Sequence, residues 1–146
     1  MKIEIKRFSE LSSNEVYELL QLRSEVFVVE QNCVYQDIDG KDNVAWHILG
    51  KDANKIVAYL RLFEPGDYFD TTSIGRVVVA KTARKKGFAK KIMEAAMKHA
   101  FKHLNEQIIT LSAQTYLIQF YKELGFREVG EGYLEDGIPH IKMRYG

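Results

Sequence analysis

The chain predicts a mixed α/β (α+β) sheet in one domain, and three observations predict it. Amphipathic helical segments are interspersed with β-branched runs, so neither an all-α nor an all-β layering accounts for the pattern. Several strands follow one another at hairpin spacing, while others are separated by a helix, which calls for antiparallel pairs with some parallel ones. A doubly wound Rossmann sheet, with a helix after nearly every strand, is excluded by that order. The length of 146 residues suits one domain spanning 1–146, at roughly 100–200 residues per domain. A chain of about 150 residues buries roughly 68–70% of its unfolded surface, enough for a core without disulfides or metal.

The elements follow in order. Ile3 and Ile5 alternate with Lys2, Glu4 and Lys6 as a half-buried strand. Ser12 and Glu15 form a capping-box pattern that opens a helix running to about Val29, in which Val16, Leu19, Leu20, Arg23, Phe27 and Val28 recur with helical period on the core face. Glu30 to Asn43 is rich in Asp, Asn, Gln and Gly and predicts an irregular loop with at most one helical turn. Ala45–Leu49 and Ile56–Phe63 read as strands about a turn at Lys51–Asn54. Glu64-Pro65-Gly66-Asp67 ends the second, and Thr72–Ala80 is a third β run that closes on three valines. Gly87–His103 is a helix with an apolar face of Ala89, Ile92, Met93, Ala96, Ala100 and Phe101. Ile108–Ser112 is a strand, Tyr116–Leu124 a helix stopped by Gly125, and Phe126–Tyr133 and Ile141–Tyr145 are the last two strands.

Composition narrows function. Lys plus Arg number 21 against 20 Asp plus Glu, a formal net charge of +1, which argues against a nucleic-acid binder or a polybasic membrane protein. The single cysteine, Cys33, forms no internal disulfide and no multi-thiolate metal site, and a reducing cytoplasm fits best. The amino end alternates charge with apolar side chains where a secretory signal needs an apolar stretch. The longest apolar runs fall far short of the roughly 20 residues that span a bilayer. A soluble cytoplasmic protein is expected.

The sharpest local signal is Ile74-Gly75-Arg76-Val77-Val78-Val79-Ala80 running into Lys81-Thr82-Ala83-Arg84-Lys85-Lys86-Gly87-Phe88-Ala89-Lys90. A buried strand feeds a basic turn and the turn feeds a helix. The first amides of a helix lack internal partners and carry a partial positive charge, so such a turn suits a phosphate or pyrophosphate. Charge alone favours a solvated basic face instead. A nucleic-acid patch lacks interleaved aromatics, and the P-loop pattern Gly-x-x-x-x-Gly-Lys-Ser/Thr is absent.

Arg84-Lys85-Lys86-Gly87-Phe88-Ala89 matches the Arg/Gln-x-x-Gly-x-Gly/Ala signature of the GNAT superfamily of N-acetyltransferases, and Tyr121-Lys122-Glu123-Leu124-Gly125-Phe126 resembles its late Tyr-x-x-x-Gly-Phe segment. Leu22–Gln31, Ile74–Val79 and Asp136–His140 further resemble the ElaA-like branch, so the likeness runs over essentially the whole chain. The resemblance implies the GNAT fold, a mixed central sheet of about seven strands flanked by about four helices. It implies acetyl-CoA as co-substrate, no metal, and direct attack of a primary amine on the thioester in a ternary complex. Val77, Val78 and Val79 would offer main-chain groups to the pantetheine arm, and Arg84, Lys85, Lys86, Gly87, Phe88, Ala89 and Lys90 would wrap the pyrophosphate. Gln114 stands where the family often has an Asn that contacts pantetheine, a departure that bears on that contact. Ala89 is an accepted variant of the third glycine.

Tyr121 is assigned by the same resemblance as the acid that protonates the departing thiolate, and the Val79 amide as the oxyanion donor. The base is left open among His140, His47, Glu30, Asp37 and Asp39, with His140 ahead because its turn resembles the branch motif. Arg23, Arg61 and Arg76 lie in otherwise apolar segments, and burial demands anionic partners, either loop carboxylates or a substrate carboxylate. His99 and His103, four apart, lack a third ligand and read as surface residues. Cys33 lacks an activating neighbour and reads as structural. Two other functions fit parts of the pattern: a non-catalytic acyl-CoA sensor, and an acyl-homoserine-lactone synthase, whose early Leu-Arg-x-x-Val-Phe is echoed at Leu22–Phe27. Neither a nucleic acid nor a membrane is an expected partner. Tyr68, Phe69 and Tyr133 suit a homodimer contact or the acceptor cleft.

Overall fold

The computed structural model describes residues 1–146. Seven strands form one sheet in the order β1-β2-β3-β4-β5-β7-β6. They are β1 (Lys2–Arg7), β2 (Trp46–Asp52), β3 (Lys55–Phe63), β4 (Thr72–Val79), β5 (Ile109–Gln114), β6 (Arg127–Glu135) and β7 (Ile138–Tyr145). Every neighbouring pair is antiparallel except β4 and β5, which are joined through a helix and run parallel. Three α-helices flank the sheet, α1 (Ser13–Arg23), α2 (Phe88–Lys102) and α3 (Ile118–Glu123), one fewer than the family resemblance implies.

The capping box forms as the sequence predicts: Glu15 N donates to Ser12 Oγ at 3.1 Å and Ser12 N to Glu15 Oε1 at 2.8 Å. The helix does not run unbroken to Val29. From Ser24 to Glu30 it widens into π-helical turns, closed by Gln31 N to Val26 O at 3.1 Å and Cys33 N to Val28 O at 3.0 Å. Val26, Val28 and Val29 are β-branched and crowd an α turn, and a π stretch of this kind is frequent at functional sites. It turns Phe27 into the core while Glu30 and Gln31 face the sheet's open end.

Both hairpins are tighter than the sequence suggests. Ala53 and Asn54 (φ +49° and +66°) join β2 to β3, and Asp136 and Gly137 (φ +51° and +77°) join β6 to β7. These are two-residue turns with both residues left-handed, whose twist matches that of the strands. Gly125, at φ +98°, ends α3, and a Cβ there would meet the Tyr145 ring at 2.8 Å. The α2 face packs Ile92, Met93, Ala96 and Ala100 on one side of the sheet against Leu60, Leu62, Leu111 and Met143. On the other side Leu19, Leu22 and Phe27 pack against Leu49, Tyr59 and Val78. No helix is long and apolar enough to cross a membrane.

Two buried titratable groups tie β1 and β2 to their surroundings. Burial would push the Glu15 carboxyl up, but hydrogen bonds from Lys51 (2.7 Å) and Lys6 (2.9 Å) outweigh it and bring it down to about 2. Burial pushes the His47 imidazole down. Its Nε2–H donates to the Asp42 carbonyl at 2.8 Å, so Nδ1 accepts from the Tyr59 hydroxyl at 2.7 Å. Below 6.5, the ordinary histidine value, the unfolded chain takes up a His47 proton that the folded ring resists. Stability is therefore full above that pH and declines as pH falls. The Glu15 contribution persists lower, and is lost between its ordinary value of 4.5 and about 2. Thermal melts across this range should show two successive losses, with Glu15→Gln reducing the lower one, which Glu4, Asp39 and Asp42 share because their carboxyls are also held down.

Candidate active site

Parallel β4 and β5 share two paired positions, Thr72 with Ile109 and Ser73 with Thr110. Beyond them β4 stays with β3 and β5 with β7, so the two strands part and the sheet opens between them. A bulge helps to part them. On β3 the register steps from Tyr59 to Arg61 while on β4 it steps from Val78 to Gly75, which places one extra residue in β4. Arg76 lies in that bulge at φ +53°, a conformation costly for a side chain with a Cβ. It is held by Arg76 Nε donating to Asp37 Oδ1 at 2.7 Å and Nη2 to the Asp37 carbonyl at 2.9 Å.

The opening is a cavity of about 690 Å³. Of the residues expected to hold a co-substrate, Val77, Val78, Val79, Arg84, Lys85, Gly87, Phe88, Ala89, Lys90, Gln114 and Tyr121 line it, as does His140. Lys86 does not line it and sits exposed on the turn outside. The Phe88 ring is buried in the core, which leaves its backbone to face a ligand. Gly87 adopts φ +76° just before α2, and a Cβ there would meet nothing within 4 Å. No side chain caps α2, so the amides of its first turn stand free at the cavity's edge. Exposed Lys85 and Lys90 flank them. This donor set fits a diphosphate.

Arg84 is already paired. Its Nη1 and Nη2 donate to the two Glu30 carboxylate oxygens at 2.6 and 2.8 Å, and its Nε to the Val79 carbonyl at 3.2 Å. The next residue, Gln31, exchanges amide hydrogen bonds with Gln114 at 3.2 and 3.3 Å. Glu30 and Gln31 thus join the end of the first helix to both lips of the opening.

Tyr121 is buried on α3 between Phe120 and Phe126. Burial pushes its phenol well up, and the neighbouring Tyr116 phenol adds to the shift. It stays protonated at neutral pH, as a proton donor must.

Of the five base candidates, three carboxylates are taken by arginines and one histidine is locked outside the cavity. His47 lies outside it, locked between Tyr59 and Asp42. Asp37 serves Arg23 and Arg76, Asp39 serves Arg61, and Glu30 serves Arg84. His140 lines the cavity from β7. The three arginines take loop carboxylates as partners, the first of the two expected solutions. Arg23 reaches Asp37 and Asp42 at 2.8 and 2.7 Å, and Arg61 reaches Asp39 and Asp42 at 2.5 and 3.0 Å. Tyr68 and Phe69 line the cavity and Tyr133 does not. His99 is not a plain surface residue; its ring packs on Trp46 at 4.6 Å and on His103 at 5.1 Å. Cys33 is buried and donates to the Asp136 carbonyl at 3.2 Å.

Sequence reasoning missed Ser112, Glu135 and Gln31. The signal for Glu135 was present: a two-residue Asp136-Gly137 turn pairs Glu135 with Ile138 and Tyr133 with His140, all on one face.

A sheet that parts at its only parallel pair, with a free helix start and a basic turn at the gap, is an open cleft with anion-binding groups at its edge rather than an ordinary α/β core. The chain belongs to the GNAT acetyltransferase family, whose domain model matches residues 9–146. Among its relatives is the ElaA protein of Escherichia coli, 44% identical over 137 residues, covering 92% of this chain and 90% of that protein. A crystal structure of an acyl-CoA N-acyltransferase from Pseudomonas aeruginosa superposes with a TM-score of 0.93 at 42% identity, covering 99% of both chains. The acyl-homoserine-lactone synthase LasI superposes at 0.82 with 14% identity, over 99% of this chain and 88% of that one, a likeness of fold alone.

Arg23 is fully buried and holds two loop aspartates. Arg23→Ala should destabilise the protein by about 3–5 kcal/mol, because it leaves buried carboxylates uncompensated; urea unfolding measures this. A loss below about 1 kcal/mol, the scale of a surface ion pair, would mean that the network carries little.

Proposed function

We propose that the protein is an N-acyltransferase that moves an acetyl group from acetyl-CoA to a primary amine by direct attack, without an acyl-enzyme. The single observation that carries this reading is the parting of β4 and β5 beside the uncapped start of α2. Acetyl-CoA supplies a thioester-activated two-carbon group. The first-turn amides of α2 and the basic turn hold its diphosphate, with Arg84 exchanging Glu30 for phosphate oxygens. The Val77–Val79 edge, left free of β5, aligns the pantetheine arm as a strand would. Gln114 turns its amide from Gln31 to that arm. The Val79 amide donates to the carbonyl oxygen as charge builds there, and the Tyr121 hydroxyl protonates the departing sulfur.

Calorimetry should detect CoA binding by the wild type. The Arg84→Glu, Lys85→Glu double variant, at two cavity-lining positions of the turn, should bind at least about tenfold more weakly, since a hydrogen bond to a charged group is worth roughly 1.5–3 kcal/mol. Unchanged affinity would take the basic turn out of the site. Tyr121→Phe should lower turnover by about 10²-fold or more, the usual contribution of a positioned acid, with CoA affinity nearly intact. A fully active variant would remove Tyr121 from the mechanism. Acetyl-CoA consumption across amine, amino-acid and peptide panels, with product mass spectrometry, tests the reaction itself.

A further inference from the structure

Where β6 and β7 wall the cavity, a histidine and a carboxylate face each other. His140 is 6% exposed. Its Nδ1 lies 2.7 Å from the Ile138 carbonyl, and a carbonyl only accepts, so Nδ1 carries hydrogen. In the neutral ring Nε2 then bears a lone pair, and it faces Glu135 Oε2 at 3.4 Å. With the ring neutral these are two acceptors face to face, and a hydrogen-bond donor placed between them can serve both. Glu135 is held from its other side, where Ser112 Oγ donates to Oε1 at 3.4 Å and also hydrogen-bonds to the Tyr133 hydroxyl. The Tyr133 ring stacks on His140 at 6.2 Å. Ser112, Glu135 and His140 all line the cavity.

An apolar wall stands nearby. Phe63 stacks on Tyr68 at 5.1 Å, Tyr68 meets Phe69 edge-on at 5.0 Å, and all three line the same cavity. Lys142, two residues from His140 on β7, sets its ammonium 5.0 Å from the Phe69 ring centre, so the wall borders the histidine.

We propose that Glu135 and His140 together bind the acceptor as a primary ammonium carried on an aromatic body, the ammonium donating to Oε2 and Nε2 and the body lying on Phe63, Tyr68 and Phe69. This rests on the transferase reading above and assigns its acceptor class. His140 Nε2 takes one proton from the ammonium, and the resulting imidazolium is held against the Glu135 carboxylate. The freed nitrogen lone pair forms the N–C bond as the C–S bond breaks. The sulfur takes its proton from Tyr121, and a second N–H proton leaves to solvent, from which Tyr121 is reprotonated.

The test is NMR of the full-length protein with ¹⁵N-labelled histidine, titrated with phenethylammonium and with 2-phenylethanol, which has the same body without the charge. Phenethylammonium should shift the His140 Nε2 resonance saturably and bind at least about tenfold more tightly than the alcohol. Glu135→Gln, at a partly exposed side chain, should weaken it about tenfold, and Glu131→Gln, which removes the same charge from an exposed position of β6 outside the cavity, much less. Equal binding of the two probes, or equal losses in the two variants, would overturn the proposal. In turnover with phenethylamine as the acceptor, Glu135→Gln should raise the amine KM and leave the acetyl-CoA KM unchanged. Amine acetylation that is indifferent to Glu135→Gln would overturn the proposal while leaving the transferase standing. Binding as described without acetyl transfer would support the ammonium site and defeat the transferase.

Discussion

The molecule depends on one feature of its hydrogen bonding: β4 and β5 pair at two positions and then separate. A parallel pair that continued would be a closed sheet with a buried seam, and there would be no cavity. Separation leaves backbone donors and acceptors on Val77–Val79 without a neighbouring strand, and polar backbone groups seek partners. The bulge at Arg76 and the parting of β5 toward β7 act together to hold the strands apart.

Maintaining that gap requires a scaffold on the α1 side, and the charged residues of the Glu30–Asn43 loop supply it. Three arginines from α1, β3 and β4 meet Asp37, Asp39 and Asp42 in a connected set in which each aspartate is reached by arginines from two different elements. The set pins a loop without regular structure and holds Arg76 in its left-handed conformation. Such networks are poor sources of net stability but good determinants of a single arrangement. The ion pair from Glu30 to Arg84 is different in kind, because it is partly exposed and lies at the mouth. It neutralises a cation whose expected partner is a phosphate.

Much of this was legible in the residues. The capping box at Ser12, the apolar face of α2, the turn residue Gly125 and the basic turn at Arg84–Gly87 each rest on short-range chemistry, and each stands where the pattern put it. The loop carboxylates were legible as partners for the apolar-segment arginines because a buried guanidinium cannot go unpaired. The π-helical widening after Arg23 was not, since apolar spacing hardly distinguishes 3.6 residues per turn from a slightly larger number. The base could not be chosen either, because His47 and His140 are each a histidine in a strand and differ only in what surrounds them.

The sequence by itself determined the order of elements, the family and the basic turn before α2, since those depend on neighbours along the chain and on a motif written in consecutive residues. Tertiary structure decided which histidine faces the cavity, that Glu135 stands opposite it, and that Arg84 meets Glu30 across 54 positions of sequence. Those facts depend on hairpin register and on where two strands diverge. A slip of one residue in either would exchange the faces of every side chain on the strand, and such a slip leaves almost no trace in local composition.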